Sequence, residues 1–136
     1  RFVSRIVEKM GNVKGQTLGV LGLAFKADTD ELREAKSLEI IAALQQQGAK
    51  IKVYDPIAME NAKGILKDVV YCRSAYETAE GCDAVVVVTD WNEFKLLNLE
   101  KLRETMKNPV IFDGRNIYSP EKVRKSGLEY VSIGRR

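Results

Sequence analysis

The chain has 136 residues, 45% hydrophobic and 30% charged, which suits about one domain with a buried core and argues against intrinsic disorder. Lys+Arg 22 against Asp+Glu 19 leaves a net charge of +3, too small and dispersed for nucleic-acid binding. Zero histidines exclude Ser–His and Cys–His nucleophile pairs, and two cysteines alone cannot complete an ordinary zinc site.

Residues 1–10 carry Phe2, Val3, Ile6, Val7 and Met10 on one apolar helical stripe, and 11–15 read as a linker. The chain opens on Arg1, so 1–14 are expected to be the end of an upstream helix and a linker, and 15–136 a domain cut from something longer. Residues 17–24 (TLGVLGLA) form a near-continuous apolar strand, of the kind covered on both faces. A helix follows over 37–47, with Ser37 as N-cap, Leu38, Ile41, Ala42 and Leu44 buried, and Gly48 as the left-handed stop. A second strand over 50–54 is closed by Asp55-Pro56. Then come a helix over 57–66, a short edge strand over 69–71 and a brief helix over 75–80. Residues 83–89 (DAVVVVT) are the strongest strand, followed by a helix over 99–107, a strand over 109–112, a helix over 120–126 and a strand over 130–133.

This alternation predicts an α/β fold: a doubly wound (Rossmann-like) parallel six-stranded sheet with helices on both faces, preceded by a short N-terminal helix. Strand order 3-2-1-4-5-6 is favoured, which places a ligand crevice at the C-terminal ends of strands 1 and 4, with strand 5 just beyond. Lys26 leaves strand 1 and Arg115 leaves strand 5, about 10 Å apart at the usual strand spacing. The two can converge on one pyrophosphate, or each can simply pair with a local Asp or Glu.

The first-turn G-x-G-x-x-G of a dinucleotide site is missing. Gly19 and Gly22 stand three apart, with Leu21 and Ala24 where the other glycines would fall, and they read as close packing or a strand bend. Asp55 stands where a ribose-binding acid would, but also where an ordinary Asp-Pro turn would. Asp28, Asp30 and Glu31 lack the spacing and glycine of a calcium loop. Cys72 and Cys82 read as buried or half-buried free thiols of a reducing compartment, and Trp91 and Phe94 as walls of the crevice or, in the favoured reading, as core.

Five segments together carry a resemblance. They are Gly22-Leu23-Ala24-Phe25-Lys26 with Thr29-Asp30-Glu31-Leu32-Arg33; Gly48-Ala49 with Tyr54-Asp55-Pro56; Val88-Thr89-Asp90-Trp91-x-x-Phe94; Phe112-Asp113-Gly114-Arg115-Asn116; and Ser132-Ile133-Gly134-Arg135. In this order and spacing the chain resembles the C-terminal, UDP-binding domain of the UDP-glucose/GDP-mannose dehydrogenase family, leaning toward the members that oxidise UDP-glucose. The resemblance implies oxidation of a sugar C6 alcohol to a carboxylate with two NAD+. NAD would be held mainly by an N-terminal domain, and the nucleophilic cysteine would sit on a central domain that also dimerises. It implies substrate contacts from Phe25, Lys26 and Arg115, and an Arg33 that reaches across the domain cleft toward NAD. It implies a UDP-sugar and the other two domains as partners, a homo-oligomer when full length, and a cytoplasmic enzyme of nucleotide-sugar and polysaccharide metabolism with no nucleic-acid or membrane partner. The family's glycine-rich cysteine motif is absent, so no catalytic residue and no metal ligand is expected here. The family's Ser-Pro-Ser run after the loop arginine is replaced by Glu34-Ala35-Lys36-Ser37. Other readings are a stand-alone NAD-binding regulatory module, a GDP-mannose or UDP-N-acetylhexosamine dehydrogenase domain, and an interaction domain with a vestigial crevice.

Overall fold

The computed structural model describes residues 2–24, 26–33 and 35–133. Its elements in chain order are α1 (Phe2–Met10), β1 (Thr17–Leu21), α2 (Lys36–Gln46), β2 (Lys50–Tyr54), α3 (Met59–Ala62), β3 (Val69–Tyr71), α4 (Ala75–Ala79), β4 (Ala84–Val87), α5 (Asn92–Lys95), α6 (Leu99–Thr105), β5 (Val110–Asp113), α7 (Pro120–Lys125) and β6 (Glu129–Ser132). The six strands form one parallel sheet in the order β3-β2-β1-β4-β5-β6. The doubly wound order anticipated from the alternation of strands and helices is the one observed.

Strand side chains alternate between two cores, as the period of two requires. Leu18, Val20, Val53, Val86 and Phe112 join Phe2 and Ile6 of α1 and Ile41 and Leu44 of α2 on one face. Val85, Val87 and Ile111 join Phe94, Leu102 and Val123 of α5, α6 and α7 on the other. Because α1 buries Phe2 and Ile6 in the first core, it is packed onto the sheet. Its flank is tied to β6 by Arg5 donating to the Ser132 carbonyl at 2.9 Å and by the Lys9–Glu129 ion pair at 2.7 Å.

Several boundaries differ from the pattern reading. β1 stops at Leu21, not Ala24, because Gly22 turns to φ +100. Ser37 is not the N-cap of α2. That position belongs to Ala35, which offers no side-chain bond, while the buried Ser37 hydroxyl donates to the Leu23 carbonyl from inside the first turn. Ala42 faces solvent. The helix expected over 57–66 shrinks to the single turn Met59–Ala62, since Asp55 organises the preceding residues as a turn. The one-turn α5 had no period to reveal it. Side-chain caps mark α4 (Ser74), α6 (Asn98) and α7 (Ser119, followed by Pro120).

Candidate functional site

The segment leaving β1 is held by buried side chains from three other elements. The Asp55 carboxylate, fully buried at the end of β2, accepts the N–H groups of Leu23 (2.7 Å) and Ala24 (3.2 Å) on Oδ2 and those of Ile57 and Ala58 (both 2.9 Å) on Oδ1. The Ser37 hydroxyl donates to the Leu23 carbonyl, and the Thr89 hydroxyl donates to the Ala24 carbonyl at 3.0 Å. All four backbone polar groups of Leu23 and Ala24 are thereby satisfied away from water. Lys26 extends from a platform fixed up to two residues before it.

A second buried carboxylate builds the other side. Asp113, at the end of β5, accepts the Arg115 N–H on Oδ1 at 3.0 Å. Its Oδ2 accepts from Ile117 N–H (2.8 Å), Tyr118 N–H (3.2 Å) and the Tyr130 hydroxyl (2.8 Å). Gly114 lets the turn pack closely: a Cβ there would stand 3.0 Å from the Val87 carbonyl and 3.1 Å from the Phe2 ring, so a neighbour would have to give by a few tenths of an ångström. The Asp113 bonds hold the backbone of the Asp-Gly-Arg turn, and Arg115 reaches the cleft from it.

Lys26 and Arg115 line one cleft of about 800 Å³. It opens over the C-terminal ends of β1, β4 and β5, between α1 and α2. Its walls are apolar: Phe2, Val3, Ala24, Ile40, Ala43, Val88 and Ile133. Three cations, Lys26, Lys36 and Arg115, stand against the single carboxylate Glu39. An apolar cleft with cations converging on it suits a ligand that joins a flat organic part to an anion.

Lys36 and Glu39 were missed by the sequence reading, which followed the buried stripe of α2. The spacing 36, 39, 40, 43 is a second helical face, and it is the one that borders the cleft. Arg33 lies elsewhere. Its side chain is 88% exposed and forks onto Glu31, with Nε at 3.0 Å and a terminal nitrogen at 3.1 Å. That pairing holds the Glu31 carboxyl below its ordinary value. Phe25 lies outside the described residues, as do Gly134 and Arg135 of the closing motif.

A dinucleotide does not fit the β1 turn of this chain. The two N–H groups that would meet a pyrophosphate are taken by Asp55, and Thr89 fills the space beside Gly22. Asp55, fully buried with four N–H partners, forms the turn and presents no oxygen to a ribose. The loop acids do not gather either: among the described residues no three His, Cys, Asp or Glu side chains form a group that could hold a metal ion. Phe94 is fully buried, and Trp91 is half-buried against the same core.

Neither thiol is prepared to attack a substrate. Burial pushes Cys82 up to about 11, with its Sγ 3.0 Å from the Thr78 carbonyl, and burial raises Cys72 as well. Both stay protonated at neutral pH. Iodoacetamide at neutral pH is therefore expected to leave the folded chain unlabelled and to modify both cysteines after denaturation, as read by intact mass. Rapid labelling of the folded chain would contradict this burial.

Residues 19–120 match the model of the UDP-glucose/GDP-mannose dehydrogenase family, UDP binding domain. The chain belongs to this family. Among the relatives of this UDP-binding domain, UDP-glucose 6-dehydrogenase TuaD of Bacillus subtilis (strain 168) is 47% identical over 135 residues, covering 98% of this chain and 29% of the relative. UDP-glucose 6-dehydrogenase of Rhizobium meliloti (strain 1021) is 43% identical over 125 residues, covering 92% of this chain and 29% of the relative. The solved UDP-glucose dehydrogenase from the hyperthermophilic archaeon Pyrobaculum islandicum superposes with a TM-score of 0.79 at 32% identity, over 98% of this chain and 28% of that one. The chain thus spans under a third of the length of these family members. No helix among the described residues is long and apolar enough to cross a membrane.

Proposed function

We propose that this chain is the UDP-sugar-binding domain of a cytoplasmic UDP-glucose 6-dehydrogenase, which oxidises UDP-glucose to UDP-glucuronate with two NAD+. The observation that carries the reading is the presence of Lys26 and Arg115 on one cleft, each presented by a separately braced segment. Lys26 supplies a compact charge and Arg115 a planar fork for the diphosphate, and Phe25 belongs to the same contact. The apolar walls take the nucleoside side of the ligand. Gripping the non-reacting UDP group here orients the sugar at a reacting centre on the central domain, which is how a domain without a nucleophile contributes to rate. Arg33, at the exposed tip of its loop, faces the cofactor held by the N-terminal domain. The N-terminal and central domains, and a second copy of the whole enzyme, are the partners.

The stand-alone NAD-binding alternative is opposed by the engagement of Asp55 and of the β1 turn. UDP titrated calorimetrically into the chain, up to millimolar concentration, separates the readings. We expect saturable UDP binding that weakens about tenfold or more in Lys26→Ala and in Arg115→Ala, the range of a lost charge-assisted hydrogen bond. NAD alone should give little heat, and the chain alone should form no NADH from UDP-glucose. NAD binding with no UDP binding, or UDP affinity unmoved by both substitutions, would overturn the reading.

A further inference from the structure

Arg115 joins the cleft to a carboxylate that stands outside it. Its guanidinium lies 3.5 Å from Asp90 Oδ2, and the two side chains are 35% and 38% exposed. Arg115 lines the cleft and Asp90 does not. The contact is single and long, so it engages one terminal nitrogen and leaves most of the five guanidinium N–H donors for a ligand.

The backbone that carries Asp90 is fixed on both sides. Thr89 before it is buried and bonded to the Ala24 carbonyl. Trp91 after it caps α5 and packs on the second core. A carboxylate held this way gives the long, flexible arginine a preferred direction before any ligand arrives, which reduces the ordering cost of binding.

We propose that Asp90 is a positioning residue for nucleotide binding: from outside the cleft it holds the Arg115 guanidinium toward the diphosphate and acts only through that arginine. This rests on the reading of the cleft as the UDP site. Two effects oppose each other when Asp90 is removed. The loss of orientation weakens binding, and the loss of a negative charge strengthens it. At about 0.15 M salt the Debye length is about 8 Å, so the repulsion between Asp90 and a diphosphate held by Arg115 is weakened only in part, and the sign of the change on removing Asp90 decides between orientation and competition.

A double-mutant cycle on UDP affinity, measured calorimetrically with UDP as the probe at that ionic strength, tests this. Asp90→Ala is expected to weaken UDP binding about two- to fivefold, the range of an exposed ion pair. Asp90→Asn, which keeps the side chain's size but removes its charge, should weaken binding about as much, because the contact at 3.5 Å is an ion pair. In the Arg115→Ala background Asp90→Ala should no longer weaken binding, an outcome that a general structural role would not give. Thermal melts of each variant show whether it is folded, and Asp90→Asn carries the test if Asp90→Ala is not. Tighter binding in Asp90→Ala would make the carboxylate a competitor for Arg115 and overturn the proposal. Equal losses with and without Arg115 would overturn it too. If Arg115→Ala weakens UDP and Asp90→Ala does not, only this proposal fails. If wild type binds no UDP, or Arg115→Ala leaves its affinity unchanged, the reading of the cleft fails and takes this proposal with it.

Discussion

Asp55→Asn is expected to lower the melting temperature by about 10–20 °C, although the side chain keeps its size. The carboxylate uses both oxygens, each accepting two backbone N–H groups, at the junction of β2 with the exit of β1. An amide has one acceptor oxygen. Whichever way it is turned, its NH2 group faces two N–H donors in a site with no solvent exposure. Unsatisfied buried donors cost about 1–3 kcal/mol each, so a loss of about 3–5 kcal/mol is expected. Differential scanning calorimetry measures it directly. An unchanged melt accompanied by weakened NAD binding would return Asp55 to the ribose-binding role that its place in the sequence allows.

The second large effect is expected at Gly22, where alanine should cost about 3 kcal/mol or more, for two separable reasons. The residue sits at φ +100, where L side chains are strained. A Cβ would also run into the Thr89 side chain and lie 2.8 Å from the Thr89 backbone nitrogen. Thr89 cannot yield without releasing the Ala24 carbonyl, so the platform below Lys26 shifts and UDP affinity falls with stability. Gly81→Ala is the internal control. It has φ +72 but open space around it, so it carries the conformational cost alone, about 1–2 kcal/mol. Equal thermal shifts for the two variants would show that the approach of β4's exit to Gly22 does not matter.

Much of this architecture can be read directly from the residues. Four consecutive valines at 85–88 belong to a strand covered on both faces, because no solvated face could bear them. Short apolar runs separated by helical segments leave the parallel, doubly wound sheet as the simplest packing, and its strand order brings the residues after β1 and β5 to one crevice. Lys26 and Arg115 could be named on that basis, and the motif order around them indicated the family.

Tertiary structure alone decided how those two side chains are held. Asp55 and Leu23 are 32 positions apart, and Thr89 and Ala24 are 65 apart, so no local pattern distinguishes a buried, fourfold-bonded carboxylate from an ordinary Asp-Pro turn. Ser37 looks like a cap in sequence because cap preference is local, yet its hydroxyl bonds across to Leu23. The cleft-facing side of α2, and the contact of Asp90 with Arg115, arise only when separate elements meet. Periodicity reports which face of a segment avoids water; which partner that face meets depends on chain distant in sequence.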